Sequence, residues 1–302
     1  MQKLVSSLVD NIIKENVFQE KFIKKSLAEL TENEYAEFEE YISFFISQGD
    51  DIESIAEAYL TFVTDTFAEL TYFIQSGHYR YSTFDEVAGS VYYNSEYMRK
   101  YMIGLGISTY LWPNHRNIYR WFQKSIPQNK QGKYLEIGPG HGKYYIYSIM
   151  NTNFDFYEAV DISASSVEMT RKLAEFFVKD TKNNYSVIEK DFFVIEEEKQ
   201  YDAVIMGEVL EHVEQPLSFM KKIHKITSDD AFIYITTAIN APAVDHIYHF
   251  KTVDEVYEMM KEAGFKVISS FYESSNGKPI EKAIKNKECI NIALILEKEM
   301  VK

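Results

Sequence analysis

The feature that most constrains this chain is a glycine-rich turn that directly follows an apolar strand. Residues 135–142 read LEIGPGHG, an apolar run that leads into three closely spaced glycines. Glycine has no Cβ and adopts positive φ without strain, so a ligand can lie directly against the backbone of such a turn. Glu136, two residues before the first glycine, would repel a phosphate but suits an ammonium group. We therefore expect a small, partly cationic ligand here.

The spacing of the glycines argues against a dinucleotide site. The nicotinamide fingerprint has glycines in the pattern G-x-G-x-x-G, with the last one needed for close packing of a helix on a strand. Here the third glycine, Gly142, comes one position early, and Lys143 occupies the diagnostic place. Binding of the pyrophosphate group of a dinucleotide at this turn is therefore disfavoured.

The chain falls into two regions with different apolar periods. Up to about residue 125 the spacing is helical, with a helix predicted after the cap residue Asp51, a second near 95–106 and a third near 113–124. Trp112, Asn114 and His115 at the break before the third helix are interpreted as ordinary turn and packing residues, with a cavity wall as the alternative. The polar segment 127–132 is the predicted linker.

After the linker, strand and helix patterns alternate, which indicates a parallel sheet covered on both faces. The last strand follows a loop without a helix signal in its second half. Strands are predicted near 133–138, 155–161, 185–190, 201–206, 231–237, 265–271 and 289–297.

Polar residues recur where these strands end, which is where doubly wound sheets bind ligands. Asp161 ends the second strand, and its carboxylate can accept hydrogen bonds from both hydroxyls of a ribose, a role that also fits a nicotinamide enzyme. Asp191 and Phe192 follow the third strand. The fourth strand leads into the run GEVLEHV at 207–213.

These elements together resemble class I S-adenosylmethionine-dependent methyltransferases over roughly the C-terminal three-fifths of the chain. The turn is similar to their motif I, E/D-x-G-x-G-x-G, with Pro139 and His141 at variable positions, and 202–212 is similar to the D-x-V-x-x-x-E-V-L-E-H run of many small-molecule members. The resemblance implies an α/β fold: a Rossmann-like, seven-stranded, mostly parallel sheet with an antiparallel last strand, preceded by an all-α cap. We assign 1–126 to the helical cap and 127–302 to the methyltransferase domain.

The resemblance also implies how S-adenosylmethionine is held. Glu136 would meet the ammonium group of the cofactor, Asp161 the ribose and Asp191 the adenine amino group, with Phe192 flanking the ring. The full predicted set of cofactor residues is Glu136, Gly138, Pro139, Gly140, Gly142, Asp161, Ile162, Asp191, Phe192 and Glu208.

Two devices for activating a hydroxyl acceptor are visible. If a helix begins at Glu208, its side chain shares a face with Glu211 and His212. This resembles the E-x-x-E-H metal site of small-RNA 2′-O-methyltransferases, which adds a later histidine, here His246 or His249. Mg²⁺, Mn²⁺ or Fe²⁺ on these residues would act as a Lewis acid. Without a metal, His212, His246 and His249 are the candidates for a catalytic base or an acceptor contact.

Charge and the helical cap bear on the acceptor. A net charge of −14 opposes nucleic-acid binding, which rests largely on Lys and Arg contacts. In the resembling family, extra N-terminal helices enclose a small acceptor or form a dimer surface, so we expect a small polar acceptor and a homodimer through the cap. Methyl transfer to an oxygen of a sugar, sugar nucleotide, cell-surface glycan or secondary-metabolite precursor is the leading hypothesis, with a nitrogen acceptor less favoured. The alternatives are a metal-assisted RNA ribose 2′-O-methyltransferase and a catalytically silent, cofactor-binding partner protein.

Cysteine content and the N-terminus bear on the compartment. Cys289 is the single cysteine, so an intrachain disulfide is excluded. Asp10 and Lys14 interrupt the first apolar run before it reaches the length of a signal peptide or a membrane span. We expect a cytoplasmic protein without a membrane partner.

Overall fold

The N-terminal region of the computed structural model is helical, as predicted. The structure describes residues 3–178, 184–198, 200–275 and 277–299, so the predicted domain limits at 1 and 302 lie outside the described residues. The helices of this region are α1 Lys3–Glu15, α2 Glu20–Leu27, α3 Glu32–Ser47, α4 Ile52–Ser76, α5 Phe84–Val87, α6 Ser95–Leu111 and α7 Pro113–Ser125. A π-helical turn, Ala88–Tyr92, lies between α5 and α6.

The start of α4 agrees with the sequence, but the end of α6 does not. Asp51 caps α4 through a 2.8 Å hydrogen bond from the Ser54 amide. Helix α6 runs five residues beyond its predicted end at Gly106. The glycines of α6 serve packing rather than termination: a Cβ at Gly104 would lie 2.5 Å from Phe62 Cβ of α4, and a Cβ at Gly106 would lie 2.1 Å from the Tyr41 hydroxyl of α3.

The C-terminal region is a seven-stranded sheet in the order β3-β2-β1-β4-β5-β7-β6. Its strands are β1 Lys133–Ile137, β2 Phe156–Asp161, β3 Asn184–Glu189, β4 Tyr201–Gly207, β5 Thr227–Ile239, β6 Phe265–Ser274 and β7 Ile290–Lys298. Strand β7 is antiparallel to both β5 and β6, and the other described pairings are parallel. The predicted fold class, including the antiparallel last strand, is confirmed.

Helices cover both faces of this sheet: α8 Lys143–Asn151, α9 Ala164–Phe177, α10 Pro216–Ile226 and α11 Val253–Glu262. Two details differ from the sequence prediction. A short helix, α12 Ile280–Asn286, lies in the segment predicted as a loop. Strand β5 begins at Thr227, several residues before its predicted start near 231. Among the described residues, no helix combines the length and the apolar character needed to cross a membrane.

The cap and one face of the sheet share a continuous apolar core. This core includes Ile107 of α6 and Phe122 of α7 together with Tyr134 of β1 and Ala203 of β4. A second core on the other face joins the sheet to α10 and α11. The cap is therefore fixed over the sheet on the side where α7, α8 and α9 lie, which sets the position of the candidate site.

Candidate active site

A cavity of about 670 Å³ lies at the carboxyl ends of β1, β2 and β4, between the sheet and the cap. Most of the residues predicted for cofactor binding or catalysis line it. They are Glu136, Gly138, Pro139, Gly140, Asp161, Ile162, Asp191, Phe192, Glu208, His212 and His246. Three predicted residues are not part of this lining: Gly142, Glu211 and His249.

The backbone of the glycine turn has positive φ at all three glycines, including +50° at Gly140, and the first and last also lack room for a side chain. Gly138 and Gly142 have φ of +65° and +74°, where a side chain is strained. A Cβ at Gly138 would lie 2.7 Å from Val209 Cγ2, and a Cβ at Gly142 would lie 2.9 Å from Leu173 Cδ1 of α9. Gly142 therefore enables packing of the turn on α9 and the start of α8, rather than forming cavity surface.

Glu136 is buried and bonded within the protein. Its Oε2 accepts a 2.5 Å hydrogen bond from the Tyr134 hydroxyl. Burial raises the pKa of Glu136 to about 8. The side chain is thus held on the Tyr134 side of β1 at the base of the cavity, and its role toward an ammonium group stays a prediction.

Asp161 stands at the end of β2, beside the glycine turn. Its Oδ1 accepts a 2.8 Å hydrogen bond from the Ser163 amide at the start of α9. Burial raises the pKa of Asp161 to about 6, against the hydrogen bonds from the Ser163 and Gly140 amides. The carboxylate is therefore fixed in orientation and predominantly ionised at neutral pH.

Asp191 and Phe192 form the next part of the wall after β3. Asp191 Oδ1 accepts a 2.8 Å hydrogen bond from the Phe193 amide, which fixes the turn. The Phe192 ring stacks on Phe219 of α10, with centroids 5.2 Å apart. A flat apolar surface thus borders the cavity where a nucleobase was predicted.

Glu208 and Glu211 bring two carboxyl groups together beyond β4. Glu208 has φ of +51°, and its Oε2 accepts a hydrogen bond from Asn291 Nδ2 at 3.1 Å. Glu211 Oε2 accepts one from the Thr237 hydroxyl at 2.8 Å. The Oε1 atom of each is buried without a hydrogen-bond partner among the described residues. Burial and the neighbouring Glu211 carboxylate raise the pKa of Glu208 well above its usual value.

His212 forms a buried ion pair with Asp245. Its Nδ1 lies 3.2 Å from Asp245 Oδ2 and 3.0 Å from the Tyr92 hydroxyl of the cap. Burial disfavours both charged forms, but the attraction between the two groups outweighs it. The pair raises the pKa of His212 to about 9 and lowers that of Asp245 to about 2.

His246 lies beside His212 but has a different protonation state. Its Nδ1 lies 2.5 Å from the Ala241 carbonyl oxygen, so Nδ1 carries the proton and Nε2 keeps its lone pair. Burial and the charge on His212 lower the pKa of His246, which keeps it neutral. The two rings are perpendicular, with centroids 4.6 Å apart.

His249 occupies a separate position. Its Nε2 is 2.8 Å from Asn240 Oδ1, and its ring packs against Tyr79 with centroids 4.6 Å apart. Glu211, His212 and His246 each offer one ligand atom, and these atoms lie within 4.8 Å of one another. The fold therefore gathers His246, not His249, with the predicted metal ligands, and Glu208 adjoins them through Glu211.

The cap contributes residues that the sequence interpretation missed. Tyr92 and Tyr101 donate hydrogen bonds to Asp245 at 3.2 and 3.4 Å. Trp112, Asn114 and His115 line the cavity, so the alternative of a cavity wall is observed, together with packing contacts such as that of Trp112 with Phe62. The break before α7 was the available signal, because helix ends put side chains into clefts.

Asn114 also connects the cap to the carboxylates. Its Nδ2 donates to Asn291 Oδ1 at 2.9 Å, and Asn291 in turn donates to Glu208. Burial lowers the pKa of His115 to about 4, so this cavity histidine is neutral. The cap side of the cavity thus carries only a few polar side chains, and hydrogen bonds such as that of Asn114 hold them in place.

Comparison with known proteins agrees with this geometry. Residues 113–270 match the family model described as a methyltransferase domain. A ubiquinone biosynthesis O-methyltransferase from Dictyostelium discoideum is 26% identical over 123 residues. That match covers 38% of this chain and 38% of the relative, so the chain spans about two fifths of the length of this curated protein.

Two solved structures have a similar fold. The mitomycin 7-O-methyltransferase MmcR has a TM-score of 0.56 and 11% identity, and the match covers 82% of this chain and 71% of that one. A phosphoethanolamine N-methyltransferase 2 from Haemonchus contortus has a TM-score of 0.51 and 14% identity, covering 72% and 60%. At these identities the likeness concerns the fold alone.

Proposed function

Because the chain belongs to the methyltransferase domain family, we propose that it transfers the methyl group of S-adenosylmethionine to a hydroxyl oxygen of an acceptor held in the main cavity. The observation that carries this proposal is the convergence, in one cavity, of the glycine turn, Asp161 and a neutral histidine. The sulfonium carbon is attacked in line by the oxygen, the carbon–sulfur bond breaks, and the acceptor proton goes to a base. Alignment of the two reactants supplies up to about 7–11 kcal/mol of barrier reduction.

We assign the base to His246. The Nε2 lone pair is available because Nδ1 is bonded to the Ala241 carbonyl oxygen, and the lowered pKa keeps the ring neutral. His212 is protonated through its pairing with Asp245, so it cannot take the acceptor proton in this state. Its role is then to orient the acceptor and to stabilise developing negative charge on the oxygen.

The cap side of the cavity favours an acceptor with an apolar body. Phe62, Phe73 and Met98 line this side, and its polar contacts are few. Among the expected acceptors, a secondary-metabolite precursor that carries a hydroxyl fits such a wall better than a sugar or a glycan. The name of the curated relative, a ubiquinone biosynthesis O-methyltransferase, agrees with transfer to oxygen. The net charge of −14 continues to disfavour RNA.

A metal-assisted form of the same transfer is a second candidate. Glu208, Glu211, His212 and His246 would hold the ion, and each is already oriented from behind by Asn291, Thr237, Asp245 or the Ala241 carbonyl. Outer partners of this kind are typical of metal ligands. The two carboxylate oxygens without partners fit a cation, which would supply a Lewis acid for the acceptor oxygen.

The proposal is tested by incubating the protein with S-adenosylmethionine and a panel of hydroxylated aromatic, glycosidic and amine acceptors, followed by mass spectrometry of the products. Transfer to hydroxylated aromatics, with conversion of the cofactor to S-adenosylhomocysteine, is expected. Cofactor binding without product from any acceptor would favour the silent-partner alternative. Parallel reactions with a chelator and with added Mn²⁺ separate the two forms: the base mechanism predicts no difference, and the metal-assisted form predicts activity with Mn²⁺ alone.

A further inference from the structure

Helix α4 carries an apolar stripe that changes from buried to exposed along its length. Ile55 and Tyr59 on this stripe are fully buried. Phe67, Leu70 and Ile74 continue it at spacings of three and four residues, which keeps them on one helix face. These three side chains are 58%, 36% and 73% exposed. The sequence periodicity predicts that all of these residues lie on one buried face of α4. In the last turns of the helix, however, this face is exposed to solvent.

The exposed part of the stripe is continuous with the cavity. Leu70 and Ile74 line the cavity together with Phe73 of the same helix and Phe84 of α5. Phe67 lies one turn before Leu70. An apolar path therefore leads from the cavity, past two of its lining residues, to the outer surface of α4.

Exposed apolar residues also occur on the sheet side of the cavity. Ile162 lines the cavity and is 39% exposed. The exposed Phe193 packs edge-on against Phe219 of the lining, with ring centroids 4.7 Å apart. Exposed apolar residues that adjoin a cavity are typical of ligand-binding grooves.

The charges nearby narrow the choice of occupant. Asp85, Glu86 and Glu214 are exposed next to Phe84 and Val213 of the lining, and the Phe84 amide donates to Glu214 Oε1 at 3.0 Å. Asp191 of the lining is exposed too, whereas Lys190 and Lys287 are the lysines that line the cavity. These four carboxylates outnumber the two lysines, which disfavours an anionic lipid surface, and the apolar lining suits an uncharged apolar chain.

We infer that the acceptor is an amphiphile: its hydroxylated head lies at His246, and an apolar chain leaves the cavity past Leu70 and Ile74 toward Phe67. This inference deepens the proposed function and rests on it for the position of the head. The chain covers the stripe on α4 and thereby removes exposed apolar surface from water.

Calorimetric binding of 4-alkylphenols with methyl to octyl chains, in the presence of S-adenosylhomocysteine, tests the inference. We expect affinity to rise by up to about fourfold per added methylene group while the chain is inside the opening or on the stripe. Ile74→Ser should reduce the affinity for octylphenol several-fold, and by more than it reduces that for methylphenol. Gln75→Ser, at the neighbouring exposed position, is the matched control, and Phe67→Ser with Ala68→Ser is a second pair.

Three results would overturn the inference: affinity independent of chain length, equal effects of Ile74→Ser and Gln75→Ser, or binding of the acceptor-free protein to phosphatidylserine vesicles that Ile74→Ser abolishes. A chain-length dependence without methylation of any alkylphenol would support the chain path and count against the proposed function. Methylation without such dependence would do the reverse. Thermal unfolding of each variant checks that the fold is retained, as expected at exposed positions.

Discussion

The two halves of the cavity are built in different ways. The sheet half uses short local motifs, each confined to a strand end or to the turn that follows it: the glycine turn after β1 and the carboxylates that end or follow β2, β3 and β4. The cap half is assembled from side chains far apart in sequence, such as Phe62, Tyr92 and Trp112. The sheet half is thus suited to a ligand common to many enzymes, and the cap half to one particular acceptor.

The histidines join the two halves. His212 lies on the segment after β4, yet its partner Asp245 also accepts hydrogen bonds from Tyr92 and Tyr101 of the cap. The docked cap therefore helps to hold Asp245 beside His212. If this account is correct, variants of the sheet half change cofactor affinity, variants of the cap half change acceptor affinity, and variants at the junction change turnover.

The largest effect is expected at the junction. His246→Ala should lower kcat by about 10²–10⁴, because a positioned base contributes this much to proton transfer. The affinity for S-adenosylhomocysteine should stay within about twofold, since His246 is assigned to the acceptor. Steady-state kinetics and calorimetry on the same preparation measure both.

His249→Ala is the matched control, because His249 has a hydrogen-bond partner in Asn240 and is not part of the cavity lining. Equal loss of turnover in both variants would contradict the assignment of the base. Loss of cofactor affinity in His246→Ala would contradict the division of the cavity into two halves.

Asp161→Ala should weaken cofactor binding by about 10- to 150-fold, the usual effect of losing hydrogen bonds to a charged group. The KM for the acceptor, measured at saturating cofactor, should not change. The control substitution is Glu189→Ala, because Glu189 is exposed at the end of β3. Glu158, in the same strand as Asp161, is buried and is therefore a less informative control. An acceptor KM that rises along with the cofactor Kd would show that the halves are not separable.

Removing the contact that holds the cap beside the glycine turn should lower stability. Lys143, the first residue of α8, is buried, with its Nζ 2.8 Å from Glu37 Oε1 and 3.6 Å from the centre of the Tyr110 ring. Lys143→Met should reduce the free energy of unfolding by about 1–3 kcal/mol, because Glu37 loses a charged partner. The midpoint of thermal unfolding measures this, with the exposed Lys172→Met of α9 as control. An unchanged midpoint in Lys143→Met would mean that this contact does not hold the cap.

The smallest effect concerns pH. The carboxylate of Asp161 is the form that accepts hydrogen bonds from ribose hydroxyls, and its pKa is raised to about 6 in the cofactor-free protein. Cofactor affinity should therefore be constant above pH 7 and fall as the pH drops through 6, by up to about tenfold per unit. Asp161→Asn should remove this dependence. A fall that persists in Asp161→Asn would assign it to another group.

The sequence allowed prediction of most of the sheet half because its signals are local. The turn at 135–142, the acids after β2 and β3, and the run after β4 are each confined to one or two elements, and the alternation of strand and helix patterns indicates a parallel sheet. The sequence did not distinguish His246 from His249 as the later histidine of the predicted metal or base residues, because the two are close in sequence. Only the folded loop directs His246 to His212 and His249 to Asn240.

The residues of the cap half could not be predicted from the sequence, and the reason is physical. Apolar residues at helical spacing look the same whether they pack in a core or line a cavity, so Leu70 and Ile74 could not be told from Ile55. The end of α6 was missed because Gly104 and Gly106 serve close helix packing, which depends on partners in α4 and α3. The pairing of Asp245 with cap tyrosines likewise depends on contacts across more than 140 positions.

The central claim is that one cavity holds S-adenosylmethionine in its sheet half through Asp161. Isothermal titration calorimetry of the purified protein with S-adenosylhomocysteine tests it most directly, with Asp161→Ala titrated alongside. The account predicts one binding site per chain in the wild-type protein and strongly weakened binding in the variant. Absence of binding to the wild-type protein, or equal binding to both proteins, would contradict it.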